Sequence, residues 1–367
     1  MEKSELIVNL KSGTNPETRW EAAAELGALG AYDDEVLEAL AQGLLDIDSG
    51  VKDICARTLS EIPKEYGRPA SRFIAPLISN KSIEIRNLSS DILIKIGAAA
   101  NEFMIPFFSD PDYQVRQFAC DVVGRIADPS GLESVYTLLD DSNPNVINSA
   151  IEAIGNIRSE SSFEVLASLY GRVEDLKPGL MEAIGKIGST ESEDFLIDKL
   201  KNEEDVFMQT AAIDALAFCG KDIGLCNHLL DELGSTPAEL QPILLKTIFA
   251  IASRNDLEIE LPPDLRHVAV KALFDDDNDI VGAGLIALGF TYNTSDVPGL
   301  VNVVLKNGPD MQQHILAVLL TYSDTTAIRE FFDVYFMNSS FDEDLSEFLS
   351  YIKIVWEDVP EENAHAT

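Results

Sequence analysis

The densest run of metal-type ligands in this 367-residue chain is Asp275-Asp276-Asp277-Asn278-Asp279. Acids at 275, 277 and 279 alternate as the first ligands of a calcium loop do, turning carboxylates toward one hard cation. The sixth position of such a loop needs a turn glycine and holds Ile280. The twelfth needs a bidentate glutamate and holds Ile286. The run therefore reads as a turn. Cys226 and His228 stand two apart, and on a helix that spacing makes them diverge from any shared metal. The histidines, His228, His267, His314 and His365, are scattered and include no H-x-x-x-H pair. Phosphate-binding loops, dinucleotide fingerprints and nucleophile elbows are also missing. The expectation is no catalytic set, no metal and no cofactor.

Charge narrows the remaining chemistry. Lys+Arg number 27 against 63 Asp+Glu, a formal net charge of -36. Such a field repels phosphate backbones and anionic bilayers, so neither nucleic acid nor membrane is an expected partner. The acids are either a solvated coat or a patch that attracts a basic protein. The start, Met1-Glu2-Lys3-Ser4-Glu5, has no basic-then-apolar leader, and no apolar run reaches membrane-spanning length. Cys55, Cys120, Cys219 and Cys226 are too scattered for a disulfide framework and suit buried reduced thiols in a cytoplasmic protein.

The elements that must position any site come from one repeated stretch, Asp110–Ile126, D-P-D-Y-Q-V-R-Q-F-A-C-D-V-V-G-R-I. With Val115 as position zero, Ala119, Val123 and Ile126 fall at +4, +8 and +11, on one helical face. Equivalent zero positions are Thr18, Val51, Ile85, Val115, Val146, Leu176, Met208, Leu240, Ile280 and Met311. Their spacing is 30 to 34 residues, except for 40 between Leu240 and Ile280, and a near-constant period of this length marks a solenoid. Position +8 is a branched aliphatic in all ten: Leu26, Leu59, Leu93, Val123, Ile154, Ile184, Leu216, Ile248, Leu288 and Leu319. Position +4 is small in seven, Cys55, Ala119 and Ala150 among them. Position +9 is Gly27, Gly124, Gly155, Gly185 or Gly289 in five units. A helical glycine costs about 1 kcal/mol against alanine. Its recurrence at one phase predicts a crossing too close for a Cβ, to which the small +4 residue should also belong.

Second helices follow short turns, near 101–108, 131–139 and 162–170 in the third to fifth units. The acids of Asp110-Pro111-Asp112 and Asp140-Asp141 precede helix starts, where they cap free amides and meet the positive dipole end. Pro178 and Pro242 sit in a first helical turn, where proline is tolerated. Asn255–Pro263 is a longer loop, either an insertion or a binding loop. The expected division is a repeat array over 1–340, an amphipathic helix over 341–358 and a disordered tail over 359–367. The helix carries Leu345, Phe348, Ile352 and Trp356 and would seal the last apolar face or dock a partner.

A helix opening on Val-Arg, then a small residue, an aliphatic, a glycine and an isoleucine, resembles HEAT repeats. More narrowly, it resembles the HEAT-like repeats named after the phycobilisome lyases. The resemblance covers about Thr14 to Phe336. It implies an all-α, right-handed superhelix of about ten hairpins, with first helices outside and second helices lining a concave groove. The residue after position zero, typically arginine in that family, is Arg19, Lys52, Arg86 and Arg116, and then mostly lost (Ile147, Gln209, Gln241, Val281, Gln312). The resemblance implies that it pairs with an acid in a neighbouring turn. It also implies a protein-holding task, or alternatively a phycobilin lyase or bilin-handling chaperone.

The expected function is thus a non-enzymatic, cytoplasmic scaffold that holds another protein, one with a basic patch, in an acidic concave groove. Phe103, Phe107, Tyr136, Phe163 and Tyr170 on the second helices are the candidate groove residues. Arg19, Arg86, Arg116, Gly124, Gly155, Gly185 and Gly289 are the structural repeat residues. Oligomeric state is left open.

Overall fold

Short polar side chains decide where the helices begin. Asn15, Asp33, Asp48, Asp112, Asn143 and Asp205 each accept a hydrogen bond from a backbone amide of the helix that follows, at 2.9–3.2 Å. Each satisfies one of the four amides a helix start leaves without partners. The computed structural model describes residues 2–221, 223–273 and 275–288, with 301, 304, 305, 330, 331 and 333–335. The repeat starting at Met311, Gly289, the helix expected over 341–358 and the tail lie outside them.

The chain forms two compact units, Met1–Ser192 and Glu193–Thr367. In the first, α1 (Lys3–Ser12) precedes the hairpins α2 (Pro16–Leu29) with α3 (Asp34–Gly43), and α4 (Ser49–Ser60) with α5 (Gly67–Ile74). Then come α6 (Ile83–Ile96) with α7 (Asn101–Met104), α8 (Tyr113–Ile126) with α9 (Leu132–Tyr136), and α10 (Pro144–Ile157) with α11 (Phe163–Leu169). Helix α12 (Lys177–Ile187) ends that series. The second unit holds most of α13 (Thr190–Asn202), then α14 (Val206–Cys219), α15 (Ile223–Leu233), α16 (Gln241–Arg254), α17 (Arg266–Ala272) and α18 (Asn278–Leu288). The architecture is an all-α solenoid of paired helices, and no strand occurs among the described residues.

Seven first helices start two residues before their zero position. Helices α12 and α16 start one after it, with Pro178 and Pro242 in the first turn. Several second helices are short α segments continued by 3-10 turns, Ala75–Ser79 and Ile105–Ser109, each with a proline at its start. Proline removes an amide donor and breaks the α ladder at that point. The +8 residues Leu26, Leu59, Leu93, Val123, Ile154, Ile184, Leu216, Ile248 and Leu288 are all fully buried. So are the four free cysteines, whose burial pushes the thiols of Cys55 and Cys219 up to about 12.

The close crossings occur where first helices meet. A Cβ on Gly124 would stand 2.7 Å from the Ala153 Cα, and one on Gly155 would stand 2.7 Å from the Ala183 Cα. Gly27 faces the Thr58 side chain in the same way, with 2.9 Å to Cγ2. Each contact joins the +9 residue of one helix to the +7 residue of the next, so the glycine works only because its neighbour is small. The +4 residue makes a different contact. Cys55 lies against Gly43 of the preceding second helix, where a Cβ would meet its Sγ at 2.4 Å. Gly185 is buried in α12.

Helix α1 precedes the repeat and the sequence reading did not anticipate it. It buries Leu6 and Leu10 against α2 and α3. Lys3 pairs with Asp33 at 2.5 Å and Lys11 with Glu38 at 3.1 Å. It covers the apolar edge of the first hairpin.

Candidate protein-binding surface

The arginine after position zero makes a fork. Arg19 donates from Nε and Nη2 to Asp46 at 2.7 and 2.8 Å, and from Nη1 to the Gly13 carbonyl at 2.9 Å. Arg116 repeats the geometry on Asp141, at 2.7 and 2.8 Å, and on the Asp110 carbonyl at 2.8 Å. Two parallel charge-assisted bonds are the strong form of this pair. They hold both Asp46 and Asp141 below the usual carboxylate range. Each acid stands five residues before the next zero position and also accepts the amide two residues on, fixing the turn. Lys52 has Asn80 at the equivalent place and pairs with Glu84 instead. Arg86 makes no such fork: its guanidinium lies 4.7 Å from the Phe118 ring centre, and its buried Nε has no hydrogen-bond partner.

The five candidate aromatics sit on the second-helix layer of the first unit, all half-buried. The Tyr136 hydroxyl is 2.8 Å from Ser162 Oγ. Arg68 lies over Phe103 at 6.0 Å and Lys177 over Tyr170 at 4.8 Å. Each ring keeps part of its area in the core and part at the surface, as amphipathic anchors do.

The opposite layer carries the acid-lined cleft. It measures about 580 Å³ and crosses α6, α8 and α10. Its polar lining repeats in phase. Asn87, Gln117 and Asn148 hold +2, and Asp91, Asp121 and Glu152 hold +6. Gly124 and Ala153 form part of the floor. A smaller cleft continues between α10 and α12, with Glu182 at +6 and Lys186 paired to it at 2.7 Å. Burial raises the Asp121 carboxyl above its ordinary value, and Glu152 adds to the effect, against a hydrogen bond from Ser149 and the charge of Arg125. Arg125 is the guanidinium of this lining; it reaches Asp91 at 3.4 Å, with both side chains more than half exposed. Position +6 holds an acid in five of the ten aligned units, Asp91, Asp121, Glu152, Glu182 and Asp214, so the signal was present in the sequence but confined to the middle of the array. The cleft therefore lies on the first helices and not among the second-helix aromatics.

The other ligand-like groups serve the backbone. Asp275 and Asp277 accept amides of Asp277 and Asp279 at 3.0 and 2.8 Å, and Lys246 donates to Asp277 at 3.0 Å. Ring nitrogen Nδ1 of His267 lies 3.0 Å from the Asp264 carbonyl, and His228 Nε2 lies 3.7 Å from Glu232. In the 255–263 loop, Ile259 and Leu261 are buried, and Asn255 donates to the Gly220 and Ile251 carbonyls. Among the described residues no three His, Cys, Asp or Glu side chains gather as a metal site. No described helix is long and apolar enough to cross a membrane.

Residues 101–178 match the family model for HEAT repeats. That stretch starts at α7 and ends in the first turn of α12. With paired helices on either side of it, the fold is a HEAT-repeat α-solenoid. Similar solved structures include an engineered protein, at 20% identity over 91% of this chain and 98% of that one, with a TM-score of 0.38. Importin beta aligns at 13% identity over 96% of this chain and 64% of its own, with a TM-score of 0.49. The complex of CpcE and CpcF of phycocyanin lyase, from a Nostoc species, aligns at 16% identity over 70% and 94%, with a TM-score of 0.33. The comparison with curated proteins gave no match.

Proposed function

We propose that this protein is a non-catalytic cytoplasmic scaffold that holds a partner protein bearing a basic patch. The observation that carries the reading is the cleft across α6, α8 and α10, where successive repeats present the same polar positions to solvent. A surface that repeats at helix spacing suits a ligand that itself repeats along its length, and a polypeptide does. Three carboxylates against one guanidinium give it the sign of a cation seat, in keeping with a chain charge of -36. Phe103, Phe107, Tyr136, Phe163 and Tyr170 are proposed as apolar anchors on the second-helix layer, because half-exposed rings are the usual hot spots of protein interfaces.

The test installs a photo-cross-linker at Gln117 in the full chain and captures partners from its native extract at about 50 and about 500 mM salt, a range over which exposed charge attraction is largely screened. The expected result is a cross-linked polypeptide whose capture fades at the higher salt. Turnover of a small molecule, or a chromophore bound at this position in place of a polypeptide, overturns the reading.

A further inference from the structure

The third repeat is where the first unit loses its regular fastenings. Helices α2 and α4 meet at Gly27 and Thr58, and the Arg19 fork ties α2 to the turn before α4. Helices α8 and α10 meet at Gly124 and Ala153, and the Arg116 fork ties α8 to the turn before α10. Helix α6 has neither fastening on either side. At the corresponding places stand Ser60 and Ile92 on one side of it, Ile94 and Val122 on the other. Toward α4 it has the Lys52–Glu84 pair, and toward α8 the exposed Arg125–Asp91 pair at 3.4 Å. Among the described residues, three buried side-chain polar atoms lack a hydrogen-bond partner: Arg86 Nε, Ser89 Oγ and Asn101 Oδ1. All three belong to this repeat, two on α6 and one at the start of α7. A buried polar group without a partner is costly, so their gathering in one hairpin marks it as the repeat whose packing is least settled.

A second berth for Arg86 is already built. Asp110 stands five residues before the next zero position, where Asp46 and Asp141 stand for their own arginines. Its Oδ1 accepts the Asp112 amide at 2.9 Å, as Asp46 accepts Asp48 and Asp141 accepts Asn143, both at 2.8 Å, so the turn is shaped as in the two forks. The carbonyl that takes Nη1 in those forks, Gly13 or Asp110, is here that of Asn80. What differs is the +3 residue of the following helix. It is Ile54 for Arg19 and Ser149 for Arg116, but for Arg86 it is Phe118, over whose ring the guanidinium lies at 4.7 Å. A ring face and a carboxylate both attract a guanidinium, and the two can hold it in turn.

We propose that the third repeat is the movable joint of the first unit and that Arg86 is its latch. Stacked on Phe118, Arg86 leaves α6 untied from the turn before α8. Forked on Asp110, it fixes that turn to α6 as Arg116 fixes the next one to α8. Helix α6 carries Asn87, Ser90 and Asp91 of the cleft wall, so the latch sets whether that wall is free to move. Such a joint works in the free chain, whether or not a partner binds the cleft.

Hydrogen exchange of the full chain tests it, read amide by amide as protection factors. In the parent, Ile92, Leu93 and Ile94 of α6 should be at least about tenfold less protected than Val122, Val123 and Gly124 of α8, tenfold being 1.4 kcal/mol of local opening. Phe118→Leu removes the ring face and keeps an apolar side chain, and it should raise α6 protection about tenfold. Adding Asp110→Asn should abolish that gain, since an amide carries no charge to hold the fork. Asp110→Asn alone keeps the Oδ1 that accepts the Asp112 amide and should leave α6 unchanged. Equal protection of α6 and α8 in the parent overturns the joint. Lost α6 protection in Asp110→Asn alone places Arg86 on Asp110 already and overturns the latch. So does a Phe118→Leu chain whose α6 is no better protected, or a gain that survives Asp110→Asn. None of these readouts needs a partner, so each outcome leaves the cross-linking test of the scaffold untouched.

Discussion

Asp141 and Asp121 are aspartates of the same unit, twenty residues apart in sequence, and the fold treats them in opposite ways. Asp141 sits in a turn with both oxygens on the Arg116 fork, and its carboxyl is held low. Asp121 sits half-buried on a first helix, where burial and then the nearby Glu152 push its carboxyl up, against a hydrogen bond with Ser149 and the charge of Arg125. The first aspartate is a structural part, completed by its own repeat array. The second is a charge that the first unit leaves incompletely compensated. Acidic composition alone does not separate these two roles, whereas the presence or absence of a bidentate partner does.

The largest expected effect tests the frame that carries both. Gly124→Val would drive a Cβ and two methyls into the Ala153 backbone, costing about 3 kcal/mol or more by overpacking and disturbing the cleft floor as well. A thermal melt reads the first effect, and cross-link capture at Gln117 the second. Unchanged stability would mean that the crossing yields easily. Next comes Arg116→Ala, which leaves the nearly buried Asp141 without its fork and should cost about 2 kcal/mol. The Arg116→Ala, Asp141→Ala pair should cost less than the sum of the single changes.

Acid titration of stability compares the two aspartates directly. The depressed carboxyls of Asp46 and Asp141 contribute stability that is present above the unfolded value near 3.8 and is lost as pH falls through their lower folded values. The raised carboxyl of Asp121 works the other way. Its protonated form is favoured in the fold, so stability is gained as pH falls from neutral through its folded value toward 3.8. Arg116→Ala should therefore flatten the loss below about pH 4, and Asp121→Asn should flatten the small gain above it, both read by denaturant midpoints. The smallest effect is that of Asp121→Asn at pH 7. It should stabilise by about 0.5 kcal/mol, the size of a like-charge contact between neighbouring helical positions. A destabilised variant would place Asp121 in the same structural class as Asp141.

The fold was legible because burial repeats. The nine +8 aliphatics among the described residues are all buried, so their identity is dictated wherever the fold is described, and the coincidence across the ten aligned units survives variation elsewhere. The acid turns were legible because capping needs particular side chains before a helix start. The Arg116 fork was legible only through resemblance, because its acid stands 25 residues away. The cleft was harder to see. Its +2 and +6 residues are exposed or half-buried, and a surface position tolerates almost any polar type, so Asn87, Gln117 and Asn148 look like ordinary surface. Helix α1 was missed for another reason. It has a single hairpin to cover and carries no repeat phase, only the pair Leu6 and Leu10.

The seam between Gly124 and Ala153 also bears on how such a chain can be inherited. Its two halves belong to different copies of the repeat, so neither copy is interchangeable by itself. Losing the hairpin from Tyr113 to Asn143 would bring α6 beside α10, and the +9 residue offered to Ala153 would then be Ile94, with a full branched side chain where none fits. Duplication or loss of a unit at this place needs a compensating change across the join. The array can grow or shorten only where its successive edges already agree.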